Sequence, residues 1–223
     1  MRVTRARSPL CCSYTLKGIT LSTETTTKYL GVDLHSELSW KTHIDRVTKK
    51  ANNMLGFLRR NLQNTSRETK TRAYISLVRS NLEYCATIWS PHHKTMIRKV
   101  EMVQRRAARF TTNRYHNTSS VTDMLEELKW ESLESRRHKH QLTMLFRIIH
   151  HLVDIKAEDY LHPAKILPRS NHNIKFLPYS TSSDSYKFSF FPRSIPLWNA
   201  LPATAAEAHS LASFKSELSN LTF

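Results

Sequence analysis

The chain has 223 residues, 39% of them apolar, with three glycines and eight prolines. That length can bury a core without disulfide staples, and the scarcity of glycine argues against phosphate-cradling Gly-rich loops and turn-dense all-β folds, so helix is the default. Lys and Arg number 34 against 18 Asp and Glu, a net charge of +16, which points to an anionic partner, nucleic acid or a membrane surface.

The charge is concentrated. Between Trp40 and Phe110 there are sixteen Lys and Arg and four Asp and Glu, a net of +12. Cys11, Cys12 and Cys85 form no CxxC pair, so neither a disulfide framework nor a zinc site is indicated. No apolar run approaches the ~18 residues of a membrane span, and the basic start MRVTRARSPLCCSY leads into polar sequence rather than a secretory apolar segment. The expected location is nuclear or cytoplasmic, without export or membrane insertion.

In chain order, residues 13 to 34 mix Tyr, Thr, Ile and Val around Gly18 and Gly31, which suits a β-hairpin of two short strands. From Ser39 the period changes. Trp40, Ile44, Val47, Ala51, Leu55, Leu58 and Leu62 recur at steps of three and four, the mark of a long amphipathic helix, N-capped by Ser36 or Ser39. A second helix is predicted over 66–89, with Tyr74, Leu77, Val78, Leu82, Cys85, Ile88 and Trp89 on its apolar stripe and Pro91 as its stop. A third carries Met96, Val100, Val103, Ala107 and Phe110. Short connections favour packing these three as a bundle over 39–112.

The Ser120–Asp123 capping signature opens a short helix with Met124, Leu125 and Leu128 inward. A longer helix follows over 132–152, with Leu133, Gln141, Met144, Leu145, Ile148 and Leu152 facing the core and its arginines and histidines mostly facing away. Residues 113–155 thus form a helical extension. Residues 156–223, rich in Pro, Ser and aromatics, read as extended, turn-rich chain, closed by a short helix with Leu211, Phe214, Leu218 and Leu221. The expected class is mainly α: a short N-terminal β-hairpin (1–38), a basic three-helix bundle, further helices and an aromatic tail.

On the first and third helices the basic residues lie opposite the apolar stripe: Lys41, Arg46, Lys49, Lys50, Arg59 and Arg60 on one, Arg98, Lys99, Arg105, Arg106 and Arg109 on the other. Ridges of this kind can follow a phosphate backbone without reading bases. The histidine groups His92-His93, His138 and His140, and His150-His151 lack the i, i+4 spacing with a further ligand that zinc on a helix requires, so no metal site is expected. GxSxG, GxxxxGK[ST] and an adjacent Asp-Asp pair are absent from the sequence, so no catalytic residue and no cofactor is expected.

The string KYLGVDLHSELSWKTHIDRVTKKANNMLGFLRRNL (28–62) resembles the end of the palm and the start of the thumb of non-LTR retrotransposon reverse transcriptases. YISLVRSNLEYCATIWSP (74–91), VEMVQRRAARF (100–110), NTSSVTDMLEELKWESLESRR (117–137) and SFFPRSIPLWNALP (189–202) are similar, in order, to later landmarks of jockey-like and chicken-repeat-like elements. The resemblance implies that Tyr29, Leu30 and Gly31 form a primer grip and that 39–110 is a thumb cradling RNA–DNA hybrid or RNA without sequence preference. It also implies that the fingers, the catalytic palm and an endonuclease lie outside this sequence. The expectation is therefore a non-catalytic C-terminal piece, whose partners are nucleic acid and the missing polymerase domains, with no small-molecule substrate. The competing expectation is a helical protein-interaction scaffold or the relic of a mobile element.

Overall fold

A computed structural model describes residues 12–164 and 172–221, together with Met1, Val3 and Phe223; Cys11 lies outside the described residues. The chain is mainly helical with short antiparallel strands at its N-terminal end. Two hairpins stand where one was expected: β1 (Thr15–Leu16) with β2 (Ile19–Thr20), and β3 (Thr26–Tyr29) with β4 (Val32–His35). Each glycine marks a separate two-residue turn, Lys17-Gly18 and Leu30-Gly31, with positive φ at both positions, the geometry that matches the right-handed twist of paired strands.

Helix α1 (Lys41–Asn61) buries Ile44, Val47, Ala51, Leu55 and Leu58, the predicted stripe. Its N-cap is Trp40, which makes no side-chain cap bond; Ser39 Oγ accepts instead from the Lys41 N–H at 3.4 Å, and Ser36 plays no part. The second predicted helix is divided. It begins as α2 (Arg67–Ala73), capped by Ser66, widens into a π-helical turn (Tyr74–Arg79), tightens to α3 (Ser80–Glu83), and breaks before α4 (Ala86–Trp89). At the break Cys85 takes the left-handed conformation, φ 52°. The π turn and the break both rotate the stripe, because each shifts the 100° step that the sequence pattern assumes. Tyr74, Val78, Leu82 and Trp89 are buried as expected, whereas Leu77 and Ile88 face outward.

Helix α5 (Lys94–Thr112) follows. Lys99 Nζ reaches Asp45 at 2.5 Å and Arg106 Nη1 reaches Asn52 at 2.9 Å, both across a separation of 54 residues. The constant offset means that α1 and α5 run parallel, with the α2–α3 segment returning between them. Helix α6 (Val121–Glu127) opens as predicted, Ser120 Oγ accepting from the Asp123 N–H, and α7 (Leu133–Ile149) is capped by Ser132.

Helices α5, α6 and α7 end without glycine. Asn113, Lys129 and His151 hold φ values of 51–55°, and the next N–H in each case bonds back five residues, Arg114 to Arg109 O, Trp130 to Leu125 O and Leu152 to Arg147 O. These are Schellman closures, built on side chains that pay a left-handed penalty of about 1–2 kcal/mol. Lys129→Gly, at an exposed position, is therefore expected to stabilise the chain by about 1 kcal/mol, read as a higher denaturant midpoint at unchanged slope.

The final helix stands where it was expected, but the tail before it differs from the expectation of extended chain. It forms α8 (Asp184–Lys187), α9 (Phe190–Asn199), α10 (Ala203–Ala206) and α11 (Leu211–Ser219). Pro192 sits among the first four helical residues, whose N–H groups have no intrahelical acceptor in any helix, so it costs α9 nothing there. Pro196 does remove a bond, and the complete burial of Ile195 and Trp198 offsets the loss. Two cores result. One gathers buried side chains from Val32 to Leu133, the other from Leu142 to Leu218, so they divide within α7 rather than near residues 112 and 155.

Candidate nucleic-acid interface

Parallel packing of α1 and α5 turns two basic ridges into one surface. Asp45 and Asn52 on α1 hold Lys99 and Arg106 on α5, and Lys41 joins Asp45 at 3.7 Å, so these groups form the seam. Lys49, Lys50 and Arg60 stand exposed on the α1 side, and Arg98 and Arg105 on the α5 side. Among the described residues these five make no ion pair or side-chain hydrogen bond, so their charges are available to a ligand. From Lys41 to Arg60 the surface is about 28 Å long at 1.5 Å per residue, on the order of eight base-pair steps of a duplex.

The predicted residues are not equivalent. Arg46 is engaged rather than free: its Nε meets the carboxylate of Asp33, and its Nη2 donates to Gly31 O at 2.6 Å. Arg109 is half-buried and reaches His116 O at 3.5 Å. Lys50 is turned by about 100° from Lys49 and lies on the far flank of α1. Arg59 sits at the end of the seam with its guanidinium 5.3 Å from the centre of the Tyr115 ring. Tyr115 is a half-exposed aromatic that periodicity could not find, because it belongs to a polar connection outside any helix. Lys94, exposed at the start of α5, was also missed.

Tyr29, Leu30 and Gly31 form the β3–β4 turn, with Tyr29 and Leu30 exposed. Leu30 holds φ 45°, a conformation unfavourable for a branched side chain. Two long-range bonds fix the turn: the Tyr84 hydroxyl donates to Leu30 O at 2.9 Å, and Arg46 donates to Gly31 O. A Cβ at Gly31 would lie 3.3 Å from the Tyr84 ring, so the ring would have to shift by a few tenths of an ångström, and the positive φ of 84° adds strain for any side chain there. Beneath the turn, the Asp33 N–H donates to His43 Nδ1 at 3.1 Å. Burial, then the neighbouring Arg46 charge, pushes the His43 pKa down, consistent with a neutral ring accepting at Nδ1. Arg46 is thus a strut between the hairpin and α1.

Elsewhere several charged groups hold the fold together. Glu127, on α6, receives Arg67 at 2.5 Å and Arg114 at 2.8 Å, and the Arg67 hydrogen bond is the main cause of its lowered pKa. Contrary to the expected outward face of α7, Arg137 is almost fully buried and Arg136 joins Glu83; Leu152, expected inside, is exposed. His92 stacks on Phe188 at 4.0 Å and His150 on Phe146 at 4.1 Å. Among the described residues no three His, Cys, Asp or Glu side chains converge as a metal-binding group would, and no helix is long and apolar enough to cross a membrane. No family model matches this chain, and neither a curated protein nor a solved structure matches it.

Proposed function

We propose that the chain binds a nucleic-acid duplex, RNA–DNA hybrid or RNA, by its phosphate backbone and without catalysis, along the seam between α1 and α5. The observation that carries this reading is the set of exposed, unpaired cations on both sides of the seam: Lys49, Arg60, Arg98 and Arg105. They are arranged for counterion release rather than for bidentate reading of bases. The resemblance of 39–110 to the thumb of non-LTR reverse transcriptases supports the same partner, and the exposed Tyr29-Leu30 turn beside α1 is compatible with a primer-grip role.

The test is titration of a labelled RNA–DNA hybrid over a range of salt. Affinity is expected to fall steeply with salt and to vary little with sequence. Replacing Lys49, Arg60, Arg98 and Arg105 together by glutamine should flatten the plot of log K against log salt by about 3–4 in slope, since each lost phosphate contact removes about 0.9. Arg46→Gln should instead lower stability with little change of slope. A quadruple variant with the wild-type slope would refute the reading.

The alternative, a protein-interaction scaffold or a relic, is favoured by a different observation. Tyr14, Leu16, Ile19 and Leu21 of the first hairpin are all exposed, and an isolated two-stranded hairpin is at best marginally stable in water. It could dock on a polymerase palm. A folded chain that binds no nucleic acid at low salt would leave that reading standing.

A further inference from the structure

At the C-terminal ends of the two parallel helices the seam runs into a pocket of about 390 Å³. Gly56, Arg59 and Arg60 of α1 line one side; Phe110 and Asn113 at the end of α5, with Tyr115 in the connection to α6, line the other. The volume is near the lower end of the range for sites that hold a small organic molecule, and none of the described residues lining it is acidic.

Tyr115 is 49% exposed, and among the described residues no other ring stacks on it. The Arg59 guanidinium lies over the ring, 5.3 Å from its centre. A guanidinium placed in this way keeps its in-plane N–H donors for an oxygen ligand, and neither Arg59 nor Arg60 makes an ion pair or side-chain hydrogen bond among the described residues. Behind the pocket Lys70 is 1% exposed, its Nζ donating to Asn113 Oδ1 at 2.8 Å and lying 5.3 Å from the centre of the Phe110 ring. No carboxylate pairs with this buried cation among the described residues, so it adds positive potential that favours an anion in the pocket. The carbonyl ends of α1 and α5 carry roughly half a negative charge each, less than the three cations supply.

Gly56 gives an independent sign. Gly18 and Gly31 serve turns with positive φ, but Gly56 stands inside α1 with helical backbone, where glycine weakens a helix. Packing does not require it either, since a Cβ there would meet nothing closer outside the helix backbone than Arg60 Nη1 at 3.6 Å, an ordinary contact. What the missing side chain provides is open space beside the Arg60 guanidinium.

We infer that this pocket takes one unpaired nucleotide where a strand runs past the end of the duplex on the seam, its base stacked on Tyr115 and its phosphate held by Arg59 and Arg60. The inference rests on the duplex reading and adds the preferred substrate, a hybrid with a single-stranded extension. An aromatic face accepts any base, so the extension is bound with little sequence preference.

The test compares, on the whole chain, a blunt RNA–DNA hybrid, the same hybrid ending in three unpaired thymidines on either strand, and the same extensions built from abasic nucleotides, which keep the phosphates and lack the bases. The thymidine extension on one of the strands is expected to tighten binding about tenfold over the blunt hybrid, and its abasic counterpart to recover little of that gain. Tyr115→Leu removes the stacking face and Gly56→Leu fills the pocket; each should abolish the gain while the affinity and salt slope for the blunt hybrid, and the thermal midpoint, do not fall. Equal binding of thymidine and abasic extensions, or a gain retained by either variant, would overturn the inference. Thymidine monophosphate binding as tightly as the extended hybrid would also overturn it, by assigning the pocket to free nucleotides. No binding of the blunt hybrid removes the duplex reading and this inference together, whereas blunt binding with no gain from the bases removes this inference alone.

Discussion

Glu101→Ala is expected to destabilise the chain by about 3–5 kcal/mol, the range for removing one partner of a buried ion pair. Arg137 on α7 is 2% exposed, and among the described residues its Nη1 and Nη2 have no hydrogen-bond partner. Among those residues the one carboxylate within ion-pair distance is Glu101 on α5, 3.9 Å away. The same carboxylate accepts the Glu134 N–H at 2.8 Å in the first turn of α7, where a helix has free donors and a partial positive charge. Burial pushes the Glu101 carboxyl up and the Arg137 guanidinium down, in each case as the largest cause. Desolvation therefore opposes both charged forms, and attraction between the partners only partly offsets it. Truncating Glu101 alone leaves a buried cation with little local compensation and removes the acceptor of the Glu134 N–H. The double variant Glu101→Gln/Arg137→Met removes both charges and keeps an acceptor for the Glu134 N–H, so it should recover most of the loss. Guanidinium unfolding decides the matter: a Glu101→Ala loss below about 1 kcal/mol, or a double variant no better than the single, would mean that the pair does not join α5 to α7 in this way.

Trp198→Ala should cost about 3–5 kcal/mol, with the damage confined to the second core. The Trp198 side chain is fully buried, its Nε1 donates to Ile174 O at 2.8 Å, and its ring lies 5.7 Å from that of Phe214. It ties α9 to the segment at 172–176 and to α11. Because α9 carries an interior proline, its helical form depends on this burial more than on its own backbone bonds. Hydrogen exchange should show amides of 172–221 losing protection while α1 and α5 keep theirs. Affinity for the RNA–DNA hybrid should be unchanged, since the seam belongs wholly to the first core. Equal loss of protection in α1 would show that the two cores unfold as one unit.

Much of the fold was legible in the sequence. The stripes of α1 and α5 emerged where their apolar residues recur, because a helix that buries one face must repeat its apolar residues at its own period. The cap at Ser120 was readable because its chemistry is local, contained within four residues, whereas the single hairpin expected over 13–34 proved to be two, each with its own glycine turn. The errors have a common cause. Leu77 and Ile88 looked like stripe positions, Leu152 like core, and FFPRSIPLWN like extended chain, because in each case the outcome depends on contacts with residues remote in sequence.

The candidate site divides in the same way. Net charge, its concentration in 40–110 and the placement of cations opposite the apolar stripes were fixed by composition and periodicity, which require nothing beyond the geometry of a single helix. Which cations remain free was decided only by the tertiary structure. Arg46 is taken by Asp33 and Gly31, Arg137 is buried opposite Glu101, and Lys99 and Arg106 are bound across a parallel helix pair. A period records which face of a helix turns away from its own core; what comes to cover that face depends on the folding of the rest of the chain, and no local pattern carries that information.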